Sequence, residues 1–167
     1  MNMNNPTQAD VIKSLASRAK SFAGEKRYSE AVEALAEITT LDPRNFQANF
    51  QMAQIFYVMK KFPQAEQKCQ QALIIKPEDI RPWLILGNIY LATGSFDKVI
   101  SQLPAGLSMN PDNFQLNYLV GYGYAKKGEF RKAKEYLEKA MRIEPGNPKV
   151  RQAITMVNQV LSRGTGR

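Results

Sequence analysis

Histidine is absent from the 167 residues, and cysteine and tryptophan each occur once. Without imidazole there is no histidine general base, no Ser–His or Cys–His nucleophile and no histidine metal ligand. A lone cysteine excludes an intrachain disulfide and cannot assemble a zinc or iron–sulfur site by itself. Cys69 is expected to be a buried small hydrophobe, suited to a reducing cytoplasm, rather than a reactive thiol. No stretch approaches the ~18 apolar residues of a membrane span. The polar, Asn-rich start has no secretory h-region, although cleavage from a longer precursor stays open. No GxxxxGK[ST] phosphate loop is present, and Gly121, Gly123 and Gly128 have the wrong spacing for a dinucleotide loop and no strand before them. They are expected to be helix-packing glycines and a turn glycine. Glu135 and Glu138 lie among Lys132, Lys134 and Lys139, which predicts a solvated, ion-paired helix face rather than an acid–base pair. These absences predict a non-enzyme with no cofactor and no metal.

What is present is a ruler. Pro43, Pro77, Pro111 and Pro145 are spaced by 34 residues without a slip. No local rule of helix pitch or strand pleat gives that interval; it marks one supersecondary unit copied four times. Each proline follows an apolar-rich run, cannot continue a helix and pushes the preceding residue out of the α region. Units 12–45, 46–79, 80–113 and 114–147 follow. Each contains two stretches of helical periodicity, and no segment alternates long enough to be a strand.

Alignment on the prolines brings other positions into columns. Ala19, Ala53, Gly87 and Gly121 are all small, and Phe22, Phe56, Tyr90 and Tyr124 are all aromatic. A second small column reads Ala31, Ala65, Val99 and Ala133; a bulky one reads Leu35, Cys69, Leu103 and Leu137. On these residues, and best in the third unit with Trp83, Leu86, Gly87, Tyr90, Phe96, Leu103 and Pro111, the chain resembles the tetratricopeptide repeat family over residues 12–147. A 34-residue helix pair cannot bury both its stripes alone, so neighbours must stack. The expected fold is all-α: an α-solenoid of four tetratricopeptide-type helical hairpins in one continuous array, plus a C-terminal capping helix. Residues 1–11 form a flexible lead and helix start, with Met1 to Pro6 loose and Thr7 and Asp10 as a capping pair. Residues 148–163 form the cap, with Val150, Ile154, Val157 and Leu161 turned inward, and 164–167 a disordered tail. Pro104 inside a second helix predicts a kink or break over 102–105, at a cost of about 3 kcal/mol. It is either tolerated drift or a functional hinge or docking notch.

The resemblance implies a concave groove lined by the first helices of each pair. Its positions map to Lys13, Ala16 and Lys20, then Gln47, Phe50, Gln54 and Tyr57. Further along they map to Arg81, Leu84, Asn88 and Leu91, and finally to Gln115, Tyr118, Tyr122 and Lys126. Aromatic rings bury apolar side chains at small entropic cost, while Gln and Asn can bond a peptide backbone. The alternative is that Phe50, Tyr57 and Leu91 pack between repeats. Family members that clamp a terminal carboxylate carry Lys, Asn and Arg at positions held here by Ala16, Lys20, Gln51, Arg81 and Ile85. Only Arg81 fits, which speaks against chaperone-tail binding. Residues 126–167 hold eleven Lys/Arg against four Asp/Glu, out of a net charge of +8 for the chain. Lys127, Arg131, Lys132 and Lys134 head this basic end, which would steer an acidic partner or is simply a soluble cap.

The leading expectation is a cytoplasmic scaffold or adaptor holding a partner protein's segment, with apolar anchors and acidic flanks, in the groove. The alternatives are a small secretion or assembly chaperone shielding an apolar segment, and electrostatic docking on nucleic acid or an anionic membrane surface. Nucleic acid is disfavoured for want of a recognised module. An integral membrane segment is not expected.

Overall fold

A computed structural model describes residues 6–164. The expected looseness of residues 1–5 and disorder of 165–167 fall outside them. The described residues form two compact units, divided after Pro77, where one continuous array was expected. The division falls at one of the periodic prolines.

The first unit holds α1 (Gln8–Gly24), α2 (Tyr28–Leu41), α3 (Phe46–Val58) and α4 (Phe62–Ile75). The second holds α5 (Ile80–Ala92), α6 (Phe96–Met109), α7 (Phe114–Lys126), α8 (Phe130–Ile143) and α9 (Pro148–Gly164). Gly164, expected in the tail, thus closes α9. Helix α1 starts at a capping box in which Thr7 Oγ1 accepts from the Asp10 amide at 3.2 Å and the Asp10 carboxylate accepts from the Thr7 amide at 3.0 Å. The later first helices start on Asn45, Asp79 and Asn113, each 34 after the last, whose side chains accept from Ala48, Arg81 and Leu116 amides. Asn147 does the same for α9, accepting from the Lys149 amide at 3.1 Å.

The turns inside the hairpins repeat in finer detail than the sequence shows. Lys26, Lys60, Gly94 and Gly128 all have positive φ, between 57° and 79°. Each amide returns to the carbonyl three residues back, and the next amide to the carbonyl five back, as in Lys60 to Tyr57 at 3.0 Å and Lys61 to Phe56 at 2.8 Å. This is the Schellman closure, which favours glycine. Lysine fills it in both hairpins of the first unit, and so the turns are not visible there by residue type.

The small columns do pack closely. A Cβ on Gly121 would lie 2.8 Å from Leu137 Cγ, and one on Gly123 would lie 2.5 Å from Val99 Cγ1. Helix α6 runs unbroken through Pro104, contrary to a break at 102–105. Leu103, Gly106 and Leu107 are buried on either side of it, and a Cβ on Gly106 would meet the Trp83 ring at 2.8 Å. Packing of that kind outweighs one missing backbone hydrogen bond.

One polar column has a structural task. Asn49 and Asn117 are buried, and each donates its side-chain amide to two carbonyls of the preceding connection. Asn117 reaches Pro111 and Asn113, both at 2.9 Å; Asn49 reaches Pro43 at 3.4 Å and Asn45 at 3.0 Å. Arg151 repeats the contact from α9, donating Nε to the Pro145 carbonyl at 3.2 Å. The connections at Pro43, Pro111 and Pro145 are therefore each tied down by the helix that follows.

Candidate functional site

In the second unit a groove of about 1160 Å³ opens between α5, α7 and α9. Its floor is an i, i+4 ladder along α7. Phe114 and Tyr118 stack with centroids 6.4 Å apart, Tyr118 and Tyr122 tilt at 6.0 Å, and the Lys126 ammonium lies 5.2 Å over Tyr122. That spacing puts all four side chains on one face of the helix. Both tyrosines are half-buried, and burial, with a smaller contribution from Tyr122, pushes the Tyr118 phenol above its ordinary pKa. Asn88 and Leu91 of α5 form one wall and Lys149, Gln152 and Met156 of α9 the other. Among the described residues the lining includes Lys126 and Lys149 and no Asp or Glu.

Six of the expected groove residues are thus brought together: Asn88, Leu91, Gln115, Tyr118, Tyr122 and Lys126. Arg81 and Leu84 do not line the groove. The Arg81 guanidinium lies on the Asp79 carboxylate at 2.7 Å, which raises its pKa, at the start of α5. The α9 wall is the part the sequence did not reveal. The signal was Met156, an apolar residue on the helix face otherwise made of Lys149, Gln152 and Arg163, and it is 54% exposed.

The first unit has a smaller pocket of about 280 Å³, lined by Ala19, Lys20, Ala23, Tyr28, Leu35, Gln51, Gln54, Ile55 and Val58. Lys20 and Gln54 of the expected set meet here. Lys13 and Gln47 are exposed and Ala16 half-buried, all outside the pocket. Phe50, expected as an exposed anchor, is 4% exposed and stacks on Phe46 at 5.9 Å. It is a core residue, because the Phe46–Phe50 pair shares one buried face of α3. Tyr57 is half-buried against Phe62 at 6.0 Å.

The basic end is less free than its composition suggests. Lys127 pairs with Asp97 at 2.9 Å and Lys134 with Glu138 at 3.6 Å. Lys132 pairs with Glu129 at 2.7 Å, which raises its pKa, and lies over the Tyr124 ring. Arg131 is exposed. Cys69 is fully buried, and burial pushes its thiol up to about 12. Among the described residues no helix is long and apolar enough to cross a membrane.

Two family models match the chain: a tetratricopeptide repeat over residues 17–80, and the Fis1 C-terminal tetratricopeptide repeat over residues 114–164. No curated protein sequence matches. Among solved structures, a MamA protein superposes with a TM-score of 0.83 at 18% identity, covering 90% of this chain and 82% of its own. MamA from residue 41 onward of Desulfovibrio magneticus RS-1 gives 0.82 at 18%, covering 93% and 88%. A tetratricopeptide repeat protein from Parabacteroides merdae gives 0.82 at 16%, covering 92% of this chain and 61% of its own. Likeness at this identity shows the fold class, an all-α solenoid of helical hairpins.

Proposed function

The chain belongs to the tetratricopeptide repeat family, a general scaffold for contact between proteins, and we propose that its second unit holds a segment of a partner protein in the groove between α5, α7 and α9. The observation that carries this reading is the Phe114–Tyr118–Tyr122 ladder ending in Lys126, half-open to solvent and faced by Met156 and Lys149. Rings that already stack on each other offer a flat apolar floor with little rotamer freedom left to lose. Gln115, Gln152 and Asn88 supply amide donors and acceptors for a peptide backbone. Two lysines with no carboxylate among the lining residues favour acidic residues flanking the apolar anchors. The function is binding, not catalysis, and a reducing cytoplasm, which the buried Cys69 suits, is part of the same proposal.

The test is affinity capture from nuclease-treated source lysate, comparing wild type with Tyr118→Ala/Tyr122→Ala. It is followed by fluorescence polarisation with the captured partner's segment. Loss of two central aromatics is expected to cost about 2 kcal/mol or more, roughly thirtyfold in affinity. Equal affinity in the folded double variant would remove the groove from consideration. Charge reversal at Arg131, Lys132 and Lys134 would then test the basic end. Capture of many unrelated apolar segments would instead make the protein a shielding chaperone.

A further inference from the structure

The pocket of the first unit is lined by a position of the repeat that carries only a methyl group. Ala23 stands 34 residues before Tyr57 and 68 before Leu91, so the last turn of the first helix carries a large side chain in the second and third repeats and a methyl group in the first. In the second repeat Tyr57 leans on Phe62, the aromatic that opens the following helix, with centroids 6.0 Å apart and the rings tilted by 43°. Tyr28 is the counterpart of Phe62, and it lines a pocket of about 280 Å³ where the counterpart of Tyr57 would sit. The fourth repeat also has an alanine here, Ala125, but its Ala125 and Phe130 pack against the cluster that includes Ala153 and Val157 of α9. In the first repeat Ala23 and Tyr28 also pack against a cluster, the one that includes Leu15, Leu35 and Ile55, but among the described residues a pocket of about 280 Å³ stays open beside them.

The volume is roughly twice that of a cavity that accepts benzene, and near the lower limit of small-ligand pockets. It suits one large side chain rather than a long segment. Its mouth carries Val58, 57% exposed, and its polar lining consists of Lys20, Gln51 and Gln54. Among the described residues that line it, Lys20 carries the charge.

We propose that the first unit carries a second binding site, in which an aromatic side chain from a partner protein takes the place that Tyr57 fills in the second repeat, with an adjacent carboxylate held by Lys20. The aromatic is specified by the Tyr57–Phe62 contact it would reproduce on Tyr28, and the acid by the exposed Lys20 ammonium at the rim. The site is separate from the groove of the second unit and stands or falls without it.

Acetyl-Glu-Tyr-Glu-amide titrated into the isotope-labelled full chain, followed by NMR, tests this directly. The amides of Ala23, Gln54 and Val58 are expected to shift in a saturable way. Acetyl-Lys-Tyr-Lys-amide should bind roughly 1.5- to fivefold more weakly, the range of an exposed ion pair. Acetyl-Glu-Ala-Glu-amide should give no saturable shift. Ala23→Tyr supplies the missing ring in cis, so it should abolish the shifts while keeping or raising Tm. Ala23→Leu, patterned on Leu91, serves the same end should the tyrosine not fit. Tyr118→Ala/Tyr122→Ala should leave the titration unchanged, separating this site from the groove. No shift at Ala23 and Val58, equal shifts from the alanine tripeptide, or persistence of binding in the filled variants overturns the proposal.

Discussion

Replacing Asn117 by alanine removes one side chain and leaves a known deficit. The amide donates to the carbonyls of Pro111 and Asn113, both at 2.9 Å, from a residue that is 1% exposed. The Asn113 carbonyl keeps a partner, the Asn117 backbone amide at 3.1 Å. The Pro111 carbonyl loses the donor seen here. One hydrogen bond lost with its acceptor still accommodated costs about 0.5–1.5 kcal/mol, and Pro111 is itself exposed, so its carbonyl can turn to water. The sum of the two bonds for Asn117→Ala is therefore about 1–3 kcal/mol. Asn49 makes the same reach, but its bond to Pro43 is 3.4 Å long, and Asn49→Ala should cost less, about 1–2 kcal/mol. The assay is urea unfolding read by tryptophan fluorescence for Asn117→Ala, because the single Trp83 lies in the same unit against Gly106. Circular dichroism serves Asn49→Ala. The reasoning fails if Asn117→Ala loses under ~0.5 kcal/mol, or if Asn49→Ala proves the more costly of the two.

Lys60→Gly should stabilise the protein by about 1 kcal/mol, since a left-handed backbone costs an L-residue ~1–2 kcal/mol and glycine little; thermal melts against wild type measure it. Gly128→Ala, at φ 79°, should lose a similar amount in the same melts. Cys69 should be inert to a disulfide reagent at pH 8 in the native protein and react only at the rate of unfolding, because its thiol is pushed up to about 12. Asp10, whose pKa is lowered first by the Thr7 hydroxyl and then by the Thr7 amide, stabilises the start of α1 fully above its unfolded value. That contribution is lost as pH falls through the lower folded one, so amide protection in the first turn of α1 should disappear in acid before the rest of the helix opens.

The repeat and its hairpins could be read from prolines and small and aromatic columns, because those residue types have few other uses at such spacing, and the capping helix from the apolar face of Val150, Ile154, Val157 and Leu161. Less visible was whatever depended on atoms meeting across helices. Lys26 and Lys60 hide left-handed turns that glycine would have announced. Asn49, Asn117 and Arg151 share a column but not a residue type, so their common grip on a proline carbonyl has no pattern in letters. Phe50 has the same spacing from Phe46 as Tyr118 has from Phe114, yet Phe50 is buried and Tyr118 half-open. Periodicity places a side chain on a face and does not say what covers that face. Pro104 went the other way: a strong local breaker was overridden by Leu103, Gly106 and Leu107 packing beside it.

The tied connections bear on how the second-unit groove would receive a ligand. Asn117 pins the chain entering α7, and Arg151 and Asn147 pin the chain entering α9, so the floor and one wall are anchored at their starts by the fold itself. A surface held in this way is preorganised. Its ordering entropy is lost when the chain folds rather than when a partner arrives, and the affinity of a short segment is not reduced by the need to assemble its site.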